Sequence, residues 1–201
     1  MVGFDISIII VNWNSGDQLG NCVRSILNSR NCDFSKLKIV IVDNNSHDDS
    51  LSFVPASPQI EVIKNLTNLG FGKACNQAYK NSNSNYILLL NPDTRIENDT
   101  LNDCRAFMES YPEISVLGLK QLTDNGKVLK TCSRFLSVKN VINQSLGLSK
   151  ISPKIFPQNI MLDWDHSEST YVDHVMGSFM FIRTSIISSL EYLMDDEYFV
   201  Y

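Results

Sequence analysis

Tyr86-Ile87-Leu88-Leu89-Leu90-Asn91-Pro92-Asp93-Thr94-Arg95-Ile96 is the stretch that decides how the rest of the chain is read. Tyr86 to Leu90 form an apolar run, short and bounded by polar residues, which suits a strand buried on both faces of a sheet. Pro92 cannot donate to a strand ladder, so the strand ends there. Asp93 is thereby delivered to the carboxyl end of a central strand, the edge at which open α/β sheets bind ligands. Asn91-Pro92-Asp93 is equally a turn sequence, and on these residues alone a plain turn is the stronger reading.

Outward from that stretch, apolar strands and helical stripes alternate. Ile6–Val11 is a β-branched first strand. Ser15 and Gln18 stand at capping-box spacing before a stripe of Leu19, Cys22, Val23, Ile26 and Leu27. Leu37–Val42 is a second strand ending in Asp43-Asn44-Asn45-Ser46, with a short helix expected near Asp48 and a third strand at Ile60–Ile63. Phe71, Ala74, Cys75, Ala78 and Tyr79 give another stripe. Leu101, Cys104, Met108 and Tyr111 mark a helix stopped by Pro112, and Ser115–Leu119 reads as a strand. Such alternation predicts βαβ units and a mostly parallel sheet flanked by helices, an α/β fold. Beyond Lys120 the pattern loosens. Thr123-Asp124-Asn125-Gly126 reads as a hairpin turn, and Ser137–Pro157 as a polar loop or lid. Val172–Ile182 turns apolar again, and Thr184 is placed to cap a short helix carrying Ile186, Ile187 and Leu190.

Composition narrows the function classes. The 201 residues suffice for one large domain, or one plus an appendage, with a real core. A net charge of −5 leaves no basic footprint for nucleic acid. No apolar segment approaches the length of a bilayer span, and the N-terminus lacks the basic region and cleavage site of a signal peptide. The five cysteines (Cys22, Cys32, Cys75, Cys104, Cys132) are odd in number and form no CxxC. They read as buried thiols of a cytoplasmic protein.

Familiar nucleotide and hydrolase templates fail. Val11-Asn12-Trp13-Asn14-Ser15-Gly16 lacks the dinucleotide fingerprint, and Gly70-Phe71-Gly72-Lys73-Ala74-Cys75 only begins one. There is no P-loop and no G-x-S-x-G elbow. His47, His166 and His174 lack metal-ligand spacing, and His47 beside Asp48-Asp49 reads as a solvated helix start.

What remains is a coincidence of position. Two strand ends each deliver an acid. Asp93 suits a divalent ion, Mg²⁺ or Mn²⁺, that neutralises a diphosphate, because such ions use one or two carboxylates and complete their shell with phosphate. Asp43 suits a base or ribose, with Trp13 and Asn14 beyond strand one adding stacking and polar readout. Asp43 could equally cap the turn that follows it.

At these residues the chain resembles the family 2 glycosyltransferases of the GT-A fold, in particular their bacterial rhamnosyltransferase-like branch. Ile8–Asn14 resembles the opening strand and nucleotide loop. Ile39-Val40-Ile41-Val42-Asp43-Asn44-Asn45-Ser46 matches V-V-D-N-x-S, and Asn68–Asn76 matches N-x-G-F-x-x-x-x-N. Leu89-Leu90-Asn91-Pro92-Asp93-Thr94 matches L-L-N-P-D-[TV], that branch's form of the metal-binding D-x-D. Four motifs in register over the first hundred residues are specific where each alone is weak.

The resemblance implies a single GT-A domain over residues 1–201, with a nucleotide-binding half (1–120) and an incomplete acceptor-side half (121–201). It implies an inverting transfer from a nucleotide-diphosphate sugar, dTDP-rhamnose in that branch, to a glycan or lipid-linked glycan of the cell surface. Asp43 would hold the base, Asn12 and Asn14 would line its pocket, and Gly70, Gly72 and Asn76 would let backbone approach the nucleotide. Asn91 and Asp93 would meet metal and diphosphate, Asn91 bringing one charge fewer than an acid. Arg134 would contact donor or acceptor, or else stand as a solvated charge. Val175–Arg183 and Met194–Tyr201 resemble the family's late strand and its F-D-E-x-F-F-x-Y segment. There the catalytic base is a Glu-Asp pair just past the position of Tyr201, leaving Asp195, Asp196 and Glu197 as substitutes or mere turn residues. A cytoplasmic enzyme associated peripherally with the inner face of the membrane is expected. The alternative is a non-catalytic sugar-nucleotide-binding or partner module, and product formation separates the two.

Overall fold

The computed structural model describes residues 4–152, 154–187 and 192–197. In chain order these form β1 (Phe4–Asn12), α1 (Asp17–Leu27), β2 (Leu37–Asp43), β3 (Ile60–Lys64), α2 (Phe71–Lys80), β4 (Ser84–Leu90), α3 (Thr100–Ser110) and β5 (Val116–Leu117). They continue as β6 (Cys132–Ser133), α4 (Val138–Ser145), α5 (Leu148–Ile151), β7 (His174–Val175), β8 (Phe179–Arg183) and α6 (Thr184–Ile187). Two compact units result. One combines residues up to Leu117 with those from Gly177 onward, and the other is Gly118–Met176.

The first unit is built on a six-stranded sheet of order β3-β2-β1-β4-β8-β5. β1, β2, β3 and β4 run parallel, while β8 is antiparallel to both β4 and β5. Tyr86 to Leu90 are all buried, so the central apolar run is covered on both faces. Burial of each large side chain there contributes on the order of 2 kcal/mol. Ile9, Val40, Val42, Ile87 and Leu89 share one face with Ala74, Cys75 and Ala78 of α2. The small residues of α2 permit close approach of helix to sheet. Ile8, Ile10, Ile39, Ile41 and Leu88, of the opposite parity, are buried on the other face.

In the second unit β6 and β7 pair antiparallel. Thr123–Gly126 forms the expected turn: Leu122 bridges Val128, and Gly126 takes φ 73°.

Several local expectations are corrected. Ser137–Pro157 is not a structureless loop, because it contains α4 and α5. Ser137 caps α4 by accepting from the Asn140 N–H at 3.2 Å, and Gly147 at φ 69° separates the two helices. Ser15 and Gln18 form no capping box. The N-cap of α1 is Gly16 at φ 57°, whose N–H donates to Asp48 Oδ2 at 2.8 Å. The helix expected near Asp48 is a 3-10 turn at Ser50–Phe53. The strand expected over Ser115–Leu119 is only Val116–Leu117, and Val172–Ile182 is split between β7 and β8. Leu190 and Tyr198–Tyr201 lie outside the described residues.

Candidate nucleotide-sugar site

β2 and β3 lie to one side of β1 and β4 lies to the other, so the strand order reverses between β1 and β4. The crevice outside the carboxyl ends at such a reversal is where open α/β sheets take ligands. Asn12, Asp43 and the Asn91–Asp93 turn all sit at these ends, with Asn12 in register beside Asp43.

Asn12 is fully buried, and its Nδ2 lies within hydrogen-bond distance of three oxygens: Asp43 Oδ1 (2.7 Å), Ser50 Oγ (2.8 Å) and Ser46 Oγ (3.0 Å). The amide nitrogen of Asn12 is thus spent on fixing the acid beside it, while its buried Oδ1 has no hydrogen-bond partner among the described residues. The Asp43 carboxylate also accepts from the Ser46 N–H at 3.2 Å, so Asp43 does cap its turn. A carboxylate has about four acceptor positions, and Asp43 retains capacity for a further donor.

The loops after β1 and β2 are laced together. The Asn14 N–H donates to Ser46 Oγ at 3.0 Å, and Asn14 Oδ1 accepts from the His47 N–H at 2.8 Å. Asn14 (φ 52°) and Asn45 (φ 64°) both occupy the left-handed region that asparagine tolerates. Asp48 holds Gly16 and also accepts from the Ser50 hydroxyl at 2.6 Å. The bond from Ser50, helped by the backbone N–H of Gly16, holds the Asp48 carboxyl below the usual range despite its desolvation. His47-Asp48 is thus a latch between loops and also the solvated start of the 3-10 turn, where Asp48 Oδ1 accepts from the Ser50 N–H at 3.2 Å. Trp13 is left 58% exposed at the strand end. A Cβ at Gly20 would come within 2.5 Å of the Phe53 carbonyl oxygen, so α1 and the 3-10 turn pack backbone to backbone beneath this loop.

A second network joins β2 to α2. Asn44 Nδ2 donates to the Gly70 carbonyl at 3.2 Å, Asn65 Nδ2 to Asn44 Oδ1 at 2.9 Å, and Gln77 Nε2 to Asn65 Oδ1 at 3.0 Å. Gly70, at φ 84°, is the N-cap of α2, and Gly72 is buried in its first turn. Asn76 is turned elsewhere. Its Oδ1 accepts from the N–H groups of Leu193 (3.0 Å) and Met194 (2.9 Å), and its Nδ2 donates to the Met194 carbonyl (2.7 Å). Asn76 thus anchors the late segment.

Asn91-Pro92-Asp93 is a turn, closed by the Thr94 N–H to the Asn91 carbonyl at 3.1 Å and tied to the residue before β8 by the Asn91 N–H to the Ser178 carbonyl at 3.0 Å. The turn exposes Asp93 and leaves Asn91 half-buried. Burial, reinforced by the Asp93 charge, pushes the Cys22 thiol up to about 12. Among the described residues no group of three His, Cys, Asp or Glu side chains could hold a metal. A single carboxylate beside an amide fits only an ion whose shell is completed by phosphate oxygens and water.

Asp195 accepts from the Glu197 N–H at 3.1 Å within a turn, and Asp196 lies 3.5 Å from Asn76 Nδ2. In the second unit Arg134 forms a two-pronged pair with Asp163, at 3.0 and 2.8 Å, so it is not a solvated charge. Burial pushes the Asp163 carboxyl up, but the hydrogen bond and charge of Arg134 outweigh it and leave the carboxyl below the usual range.

Ser46, Asp48 and Ser50 were missed as site-building residues. Ser46 belongs to the V-V-D-N-x-S match and was signalled there. Ser50 has no pattern of its own, because its bond to Asn12 spans 38 residues.

The model of the family described as "Glycosyl transferase family 2" matches residues 7–183. The poly(ribitol-phosphate) beta-N-acetylglucosaminyltransferase TarS of Staphylococcus aureus (strain MW2) is 24% identical over 166 residues, covering 79% of this chain and 28% of TarS. The TarS crystal structure superposes with a TM-score of 0.63 at 19% identity, covering 96% of this chain and 31% of that one. A mannosyltransferase, PcManGT from Pyrobaculum calidifontis, solved in complex with GDP-Man and Mn2+, gives 0.60 at 13% identity, covering 96% and 48%. These likenesses establish the GT-A fold. This chain spans less than a third of the curated relative it matches.

Proposed function

Because the chain belongs to glycosyl transferase family 2, we propose that it is an inverting glycosyltransferase domain. It would move a sugar from a nucleotide-diphosphate donor to a glycan or lipid-linked glycan of the cell surface. One observation carries the reading: a buried asparagine, Asn12, holds the Asp43 carboxylate at the strand-order reversal. A carboxylate fixed there accepts the imide N–H of a pyrimidine base without having to reorganise. TarS has been solved with UDP-GlcNAc, which supports a pyrimidine donor. The dTDP-rhamnose of the resembling branch is one candidate and UDP-sugars are others.

The exposed Trp13 ring offers a surface against which base or ribose can stack. The Asn91–Asp93 turn would hold a divalent ion through Asp93, with Asn91 as a neutral partner. When bound, that ion neutralises the diphosphate leaving group. Residues 1–201 would act as one catalytic domain. We further propose that the protein works in the cytoplasm.

Thermal shift with UDP, dTDP and GDP, each with and without Mn²⁺, tests the reading, followed by detection of released nucleotide from the sugar donor. Stabilisation by a pyrimidine diphosphate with transfer or slow donor hydrolysis is expected. Stabilisation without either reaction would assign the chain to a non-catalytic binding module.

A further inference from the structure

α4 is turned inside out. Asn140 and Asn143 form its buried side, at 8% and 5% exposure, and Asn143 Nδ2 donates to the Pro157 carbonyl at 2.9 Å. On the opposite side Val138, Val141 and Ile142 are exposed, Val138 at 78%. Their i, i+3, i+4 spacing makes one continuous stripe. Phe135, Leu136 and Leu146 extend the exposed apolar surface at both ends of the helix, and Ile151 lies beyond it in α5. An exposed apolar stripe on a helix whose polar side is buried is not core left over by chance. A surface of this kind marks an interaction site.

Charge identifies the partner. Phe135 to Pro157 contains Lys139, Lys150 and Lys154 and no Asp or Glu, in a chain of net charge −5; the acid that reaches this stretch, Asp173, is engaged by the Phe135 N–H at 3.0 Å at its far end. The three lysines are exposed. A second copy would set lysines against lysines across a two-fold contact. At eight residues α4 is far too short to span a bilayer. Apolar side chains sunk to the acyl boundary with lysines at the headgroups describe a helix lying in the membrane interface. We infer that the α4–α5 surface docks the protein on an anionic lipid surface, through the stripe Val138, Val141 and Ile142 and the lysines Lys139, Lys150 and Lys154. This holds whether or not the first unit takes a nucleotide.

The test is flotation of the 201-residue chain with vesicles of phosphatidylcholine alone and of phosphatidylcholine mixed with phosphatidylglycerol. Binding to the anionic vesicles is expected, weakening as salt is raised. Val138→Glu with Ile142→Glu should abolish it. Each of Lys139→Gln, Lys150→Gln and Lys154→Gln should weaken it about fivefold. The variants change exposed side chains, and an unchanged melting temperature would show that they fold. Absence of binding to either vesicle would overturn the inference, as would binding that both sets of substitutions leave intact. A concentration-dependent dimer abolished by Ile142→Glu, without vesicle binding, would reassign the face to self-association.

Discussion

Asn76 and Met194 are joined in both directions: the side-chain amide of one donates to the carbonyl of the other and accepts from its N–H. This imitates a pair of strand hydrogen bonds with a single side chain, and Leu193 adds a third bond. Asn76→Ala would leave these backbone groups without partners on a buried helix face. Each such group costs about 1–3 kcal/mol, less where the segment can move out to water. Urea denaturation should show a loss in that range, with Asn76→Asp no milder, because it keeps the acceptor but sets a buried carboxylate oxygen against the Met194 carbonyl and the Asp196 carboxylate. The nucleotide-induced rise in Tm should survive in both. Its disappearance would return Asn76 to the nucleotide pocket.

Asp43 and Asn12 should fail together in ligand binding. At about 100 times Kd a nucleotide adds roughly 2.7 kcal/mol of stability, and Asp43→Ala should remove most of that gain. Asn12→Ala should weaken nucleotide binding too, although Asn12 is fully buried, because the carboxylate loses its anchor. Isothermal titration of each variant checks this, and full affinity in Asn12→Ala would show that Ser46 alone suffices to orient Asp43.

Asp93→Ala separates metal from nucleotide. If Asp93 ligates the ion, the Mn²⁺-dependent part of the thermal shift disappears and weaker metal-free binding persists. A lowered Tm of the free protein with the Mn²⁺ increment retained would leave Asn91-Pro92-Asp93 a structural turn only.

The cysteines offer a check on the fold itself. Cys22, Cys75 and Cys104 are buried, and burial pushes the Cys22 and Cys104 thiols up to about 12. At pH 8 such a thiol is ionised to roughly one part in ten thousand. Cys32 and Cys132 are only partly covered. Titration of the native protein with a disulfide reagent should show these two reacting first, and the remainder only on unfolding.

The Arg134–Asp163 pair carries a pH signature. Because the Asp163 carboxyl is held below its usual range, its contribution is present above the ordinary carboxylate pKa of about 4. It is lost as pH falls through the lower folded value. Partial exposure limits it to about 1 kcal/mol. Comparing wild type with Asp163→Asn by denaturation from pH 7 downward should show a difference at pH 7 that shrinks progressively below pH 4.

The parallel core was legible because its signal is local. A run such as Tyr86–Leu90 needs no partner to be recognised as doubly buried, and Pro92 marks its end. Asp43 and Asp93 were placed at strand ends for the same reason. The strand-order reversal between β1 and β4 that joins those ends could not be read, because pairing order is a long-range property. Nor could the buried side of Asn12 and Asn76, since one asparagine looks like another until its neighbours are known. Ser137–Pro157 was misread through composition. Ser137, the stripe from Val138 to Ile142, and Gly147 were sufficient signals for α4, but the apolar residues were too few to stand out among serines and asparagines.

The second unit leaves the first after β5 and returns just before β8, and those two strands are hydrogen-bonded neighbours, with Leu117 opposite Phe181. The sheet is therefore sewn shut across the mouth of the excursion. Everything between Gly118 and Met176 behaves as a cassette on a closed clasp. Descent can lengthen, shorten or rewrite it without disturbing strand register, since the entropy of the connecting loop grows only slowly with its length. Variation in the cassette is thus uncoupled from the geometry at the ends of β1, β2 and β4.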